Sequence, residues 1–274
     1  MNDNVRPHLY TLVRIRKSGS QSLVNMLVKA LPQARLYSMP PIPPVADMGV
    51  GIFEDFRRTR RVRKRLRKLF KVTDYTEAWK LLNKQAVAGD IISGHFMYGS
   101  PNLPDWEMKY ITLLRDPVGR LSSEYRYCRQ SYLDNPPWRR WYLAQRLKVA
   151  GKGSLNDYVK YLVKYGDRFA NPMVGYVTGG TNTADPYKFL RENYFHYGTL
   201  DQLDLFAKGL SEKVATPIPI VWSNKTREAP SQEEENLDAR DLEQLIGKDL
   251  ALYQAVQKEL ADGELIDIDT NHKS

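Results

Sequence analysis

Apolar residues crowd into the run His8-Leu-Tyr-Thr-Leu-Val-Arg-Ile15, then switch past Lys17-Ser-Gly-Ser-Gln-Ser22 to helical spacing across 23–31. That change of period predicts a strand over 8–15 and a helix over 20–31. The same reading predicts strands over 90–93, 109–114, 193–198 and 218–222. Helices are expected over 54–70, 74–86, 118–132, 138–148, 154–164 and 200–209, with a Pro-rich loop at 40–44. Asp238 stands before Leu242, Leu245 and Ile246 at helical spacing, with Asp241 three residues on, and so marks a last helix start. Strands alternating with helices predict an α/β fold, a three-layer sandwich with a central, mostly parallel sheet flanked by helices. One domain over 1–274 is expected, with 41–88 as a helical, basic insertion; no internal repeat is visible.

Between the first strand and helix, Lys17, Ser18, Gly19, Ser20, Gln21 and Ser22 form a loop of small and polar residues that ends at a helix N-terminus. Such a loop lets backbone N–H groups approach an oxyanion, the helix dipole favours negative charge there, and Lys17 adds a full positive charge. The nucleoside-triphosphate loop ends in Gly-Lys-[Ser/Thr]; here the Lys comes first, which weakens a kinase or ATPase reading. An ordinary strand-to-helix turn with Ser as N-cap fits the same residues.

A second feature separates these readings. The run Lys109-Tyr-Ile-Thr-Leu-Leu-Arg115 ends at Asp116-Pro117, which opens a helix, and Ser123 follows Arg115 by eight residues. Arg115 and Ser123 are spaced to hold one phosphate, and both would face the crevice at the carboxyl ends of the strands, where the Lys17 loop also lies.

Among the four histidines, His95 in Ser93-Gly-His-Phe96 follows a short apolar run at another carboxyl end. A neutral imidazole there suits a general base. The bland alternative is a histidine that packs or caps a turn. His196 reads as structural, and His8 and His272 as solvated. Glu54 or Asp55 could supply a carboxylate base, though acids at the start of a basic helix also simply favour its dipole.

The two anion motifs together resemble the sulfotransferases that use 3′-phosphoadenosine 5′-phosphosulfate (PAPS). Lys17 through Ser22 is similar to that family's 5′-phosphosulfate loop, often written Lys-Thr-Gly-Ser-Thr-Ser. Arg115 with Ser123 is similar to its 3′-phosphate pair. The stretch Leu114-Arg-Asp-Pro-Val followed by Arg120 and Ser123-Glu-Tyr125 is most like the carbohydrate branch, which includes the heparan sulfate 2-O- and 6-O-sulfotransferases. Looser matches are Asn171–Gly179, Phe195–Leu200 and Asn224–Thr226; 41–88 and 134–160 show no likeness. The resemblance implies a P-loop-like fold, and sulfuryl transfer from PAPS to a hydroxyl, with a sugar favoured as acceptor, without a metal and with 3′-phosphoadenosine 5′-phosphate (PAP) as product. It also implies that Gly94-His95 supplies the catalytic base and Lys17 stabilises the leaving phosphate. A peptide tyrosine, a lipid or a small phenol stays open as acceptor.

Composition changes this picture in two places. Cys128 is the single cysteine, which excludes an internal disulfide, suits a reducing compartment and reads as a packed thiol. No apolar stretch reaches the roughly 20 residues of a membrane span and no signal core precedes the first strand, so a cytoplasmic protein is expected. Golgi members of the resembled family carry an anchor before that strand, so the resemblance points to a soluble bacterial member. Asn224-Lys-Thr226 would be a glycosylation sequon only in a secreted protein.

The net charge is +9, and ten of the fifteen residues over 57–71 are basic. A solvated helix face is the bland account; an anionic-glycan groove, an acidic membrane surface or nucleic acid are the functional ones. Arg57, Arg60, Arg61 and Lys64 are expected to bind an acidic acceptor, because the segment lies between the Lys17 loop and His95. Nucleic acid is not expected, since no zinc signature, aromatic RNA motif or helix-turn-helix appears. A polyanion-binding protein that uses this helix is the alternative of another class. Trp106, Trp138 and Trp141 fall in or near loops flanking the expected site and take no further assignment.

Overall fold

The computed structural model describes residues 6–39, 76–166, 169–222 and 237–262. The expected helix over 54–70, Arg57, Arg60, Arg61 and Lys64, the carboxylates Glu54 and Asp55, the 40–44 loop, Asn224 and His272 lie outside the described residues.

Five strands, β1 (His8–Val13), β2 (Leu36–Met39), β3 (Ile91–Gly94), β4 (Glu107–Leu114) and β5 (His196–Thr199), form one sheet in the order β2-β3-β1-β4-β5. Every pairing is parallel. The helices are α1 (Ser20–Ala30), α2 (Thr76–Gln85), α3 (Pro117–Leu133), α4 (Pro137–Arg140), α5 (Gln145–Lys152), α6 (Leu155–Lys164), α7 (Pro172–Thr178), α8 (Pro186–Asn193), α9 (Leu203–Val214) and α10 (Ala239–Ala261).

The strands read as nearly continuous apolar runs because both sheet faces are covered. Alternation within β1 sends Leu9 and Val13 into a layer with Trp79, Met173, Leu190 and Val256, from α2, α7, α8 and α10. Tyr10 and Leu12 face the opposite layer, against Leu23, Leu27, Phe206 and Leu210 of α1 and α9. Each fully buried Leu contributes on the order of 1.5–3 kcal/mol. A third cluster joins α3, α5 and α6 to the start of α10 through Leu121, Leu147, Tyr158, Leu162 and Leu245. The result is an α/β three-layer sandwich. Cys128 is buried in the third cluster, 3.6 Å from the Tyr158 hydroxyl, as a packed thiol.

Several elements differ from the sequence reading. Residues 218–222 form no strand, because Pro217 and Pro219 remove alternate donors from any ladder. Ile218 is apolar because it plugs the layer under α9, its amide bonded to the Ser211 hydroxyl at 2.9 Å. The expected helix over 138–148 is two, α4 and α5, with Trp141 and Tyr142 exposed between them. The stretch after β5 opens as a 3₁₀ turn, Leu200–Gln202, before α9. The helix start at Asp238 holds, its carboxylate accepting from the Arg240 and Asp241 amides at 2.8 and 3.2 Å.

Asp249 latches α10 to α7. Fully buried, it accepts the amides of Met173 and Val174 at 3.1 and 2.8 Å, while Asn171 Oδ1 accepts those of Lys248 and Asp249. Burial pushes its carboxyl up from 3.8 to about 6, against the opposing pull of Arg120 and the two amides. The folded state therefore holds this proton more tightly than the unfolded chain, and the group's contribution to stability falls as pH rises between those values. Relative to Asp249→Asn, wild type should gain about 2 to 3 kcal/mol on going from about pH 7 to about pH 4, read from urea midpoints. A difference independent of pH would remove Asp249 as the titrating latch.

Candidate functional site

All five strands end at one carboxyl edge of the sheet. From β1 the chain goes to β2 and β3 on one side and then crosses to β4 and β5 on the other. The strand order thus reverses beside β1, the position where open α/β sheets hold ligands.

Between β1 and α1 the backbone takes positive φ at Lys17 (66°) and at Gly19 (69°). Left-handed residues occur in the loops whose backbone N–H groups form anion-accepting concavities, and within this one the Ser18 amide donates to the Ile15 carbonyl at 3.4 Å. Gly19 is the N-cap of α1, and no side chain caps the helix. The serine-capped turn is overturned by this geometry, and the first-turn amides of Ser20 and Gln21 lack an intrahelical acceptor. Glycine at 19 is required twice over, since a Cβ there would also stand 2.5 Å from Leu200 Cδ1. Ser18 is fully buried, and its hydroxyl has no hydrogen-bond partner among the described residues.

An L side chain at positive φ costs Lys17 on the order of 1–2 kcal/mol. In that conformation its Nζ lies 4.6 Å from the centre of the Tyr127 ring on α3. Burial lowers the Lys17 ammonium below the usual lysine range; Glu124 and Cys128 oppose the fall, and Arg115 and Arg126 add to it. A cation that burial has partly stripped of water gains from an arriving anion.

Arg115, directly after β4, donates from Nη1 to the Lys17 carbonyl at 3.1 Å. Its guanidinium lies along the first turn of α3, where a Cβ on Gly119 would be 3.7 Å from Nε. Asp116 caps that helix by accepting the Gly119 amide at 2.6 Å. The anchor at 115 and the loop at 17 are therefore one assembly. Ser123 is half-buried on the second turn of α3, eight residues after Arg115.

His95 follows β3. The Arg14 amide donates to the Gly94 carbonyl at 2.9 Å, and His95 Nδ1 lies 2.6 Å from the Arg14 carbonyl. A carbonyl only accepts, so Nδ1 carries the hydrogen and Nε2 is the basic nitrogen of the neutral ring. Gly94 lets the chain turn here, since a Cβ would meet the Phe96 ring at 2.6 Å. His95 thus sits at the crevice while Phe96 enters the core.

Three contributors escaped the sequence reading. Arg14 reaches back to Ser20 Oγ at 3.5 Å and Gln21 Oε1 at 3.2 Å, pinning the first turn of α1. Tyr127 flanks Lys17. Glu124 anchors a buried cluster near the loop, bonded to Arg146 at 2.6 Å and Arg120 at 2.9 Å. Basic residues at a strand's carboxyl end, and an acid four after an Arg on one helix, were the available signals.

His196 is structural, as expected: its Nε2 donates to the Phe206 carbonyl at 2.8 Å, and burial lowers its pKa to about 3. His8 is half-buried against Tyr10 rather than solvated. An open groove of about 560 Å³ lies at the opposite edge of the sheet, beside the Arg35–Asp90 pair. Among the described residues no cluster of three or more His, Cys, Asp or Glu stands ready for a metal, and no helix is long and apolar enough to cross a membrane. No protein-family model matches this chain, and no curated protein matches it.

Proposed function

We propose that the protein is a PAPS-dependent sulfotransferase that sulfates a hydroxyl of a carbohydrate or other acidic acceptor. The observation that carries this reading is the bond from Arg115 Nη1 to the Lys17 carbonyl, which joins two anion-binding elements in one crevice. A donor with phosphate groups at both ends of a nucleoside needs two such elements. The residues present suit it: uncapped α1, the buried Ser18 hydroxyl and Lys17 would hold the 5′ side, and Arg115 with Ser123 the 3′-phosphate. When bound, PAPS supplies an electrophilic sulfur carried on a phosphate leaving group.

His95 Nε2 takes the proton of the acceptor hydroxyl as its oxygen bonds to sulfur. The loop amides and Lys17 hold the charge released on the phosphate oxygen as the sulfur–oxygen bond breaks. Positioning and preorganised charge carry most of the rate in such transfers. The charge of +9 favours an acidic acceptor, and Arg57, Arg60, Arg61 and Lys64 belong to that part of the proposal.

Calorimetric titration with PAP, using ATP and AMP as controls, tests the reading. Micromolar binding selective for PAP supports it, whereas equal or tighter ATP binding turns it toward a nucleotide kinase. Arg115→Ala should weaken PAP binding by roughly tenfold to a hundredfold, the scale of a lost charge-assisted hydrogen bond. Unaltered PAP affinity in that variant would remove Arg115 from the nucleotide site.

A further inference from the structure

The three most exposed large hydrophobic side chains among the described residues fall within five consecutive positions: Trp138 at 64%, Trp141 at 82% and Tyr142 at 89%. Scattered apolar residues on a surface are ordinary; three aromatic rings concentrated on one turn are not. The turn is also stiff. Pro136 and Pro137 fix its entry, and Arg140 donates to the carbonyls of Asn135 and Leu133 at 2.8 and 2.9 Å. The same guanidinium lies 4.9 Å from the centre of the Tyr132 ring, and that of Arg139 lies 4.8 Å from Trp138. The backbone of the turn is thus tied down, so little of it has to be ordered when the rings meet a partner.

We propose that this turn is a docking tip for an anionic lipid bilayer, with Trp138, Trp141 and Tyr142 entering the headgroup region. Rings exposed to 82% and 89% are covered on almost no side, so among the described residues no groove there grips a sugar or a peptide side chain. A bilayer interface conforms around projecting rings, and Trp and Tyr prefer it. Charge selects the lipid: from Leu133 to Lys152, leaving aside the buried Arg146, the four basic residues Arg139, Arg140, Lys148 and Lys152 stand against a single acid, Asp134. Arg139, beside the rings, meets anionic headgroups. The proposal does not rest on the chemistry of the crevice.

The test is co-sedimentation of the full chain with vesicles of phosphatidylglycerol and phosphatidylcholine in equal parts, and with phosphatidylcholine alone. Wild type should bind the mixed vesicles, with its tryptophan emission moving to shorter wavelength. The triple variant Trp138→Ser, Trp141→Ser, Tyr142→Ser should bind at least about tenfold more weakly, with an unchanged thermal midpoint because the rings pack against little. Trp141→Phe, which keeps a ring, should retain most of the binding. Failure of wild type to bind overturns the proposal. So does equal binding by the triple variant, which would assign attachment to basic residues elsewhere in the chain. A fluorescence response to a soluble acidic oligosaccharide without one to vesicles overturns it too, in favour of a glycan.

Discussion

Turnover is expected to fall by roughly 10²- to 10⁴-fold when His95 is replaced by alanine, with PAP affinity nearly unchanged. The imidazole is held through Nδ1 by the Arg14 carbonyl, a backbone group that no substitution at 95 disturbs directly. Removing the ring removes a proton acceptor from the crevice and leaves the α1 loop and Arg115 in place. His95→Asn separates positioning from chemistry, since its amide can still donate to that carbonyl but has no basic nitrogen. Initial rates with labelled PAPS should therefore be as low for the Asn variant as for the Ala variant, and added imidazole should restore part of the rate to the Ala variant. An active His95→Ala enzyme would sink the base assignment.

Glu124→Ala is expected to destabilise the fold by about 3–5 kcal/mol, measured by urea denaturation. Its carboxylate is bonded to Arg120 and Arg146, whose side chains are 4% and 3% exposed. Truncation leaves both guanidinium groups buried without that counter-charge, and the penalty of unpaired charge exceeds what the pairs contribute net. Burial alone would raise the Glu124 carboxyl, but Arg146 and Arg120 overcome it and hold the group below the ordinary glutamate value. A carboxyl with a lowered folded pKa contributes stability above its unfolded pKa and loses it as pH falls through the folded one. Wild type should therefore lose its advantage over Glu124→Ala on acidification, the opposite sign to Asp249. A loss below about 1 kcal/mol at neutral pH would show that the guanidinium groups find other partners.

The buried strands were legible because a parallel sheet covered on both faces demands unbroken apolar runs, as in β1 and β4. β2 was not, since Leu36-Tyr-Ser-Met39 is an edge strand whose Leu36 is 40% exposed, and its sequence carries no core signal. The run at 218–222 misled because hydrophobicity there serves a plug, although Pro217 and Pro219 could have excluded a ladder. α7 and α8 went unread for want of length, yet Asn171-Pro172 and Asp185-Pro186 both place Pro at the first helical position. Of the site, Lys17, Arg115 and His95 were legible because each follows an apolar run that had to end at the same edge. Arg14 and Glu124 were not, because their roles depend on partners that only the tertiary fold brings near.

The struts that close the crevice bridge distant parts of the chain. Arg115 and Lys17 are 98 residues apart, His95 and Arg14 are 81 apart, and the bond from Thr112 to the Val13 carbonyl spans 99. None of these contacts forms until large loops have closed, which makes assembly slow compared with helix formation. The crevice is therefore no independent folding unit. It comes into being only with the central sheet, and opens fully only when that sheet does.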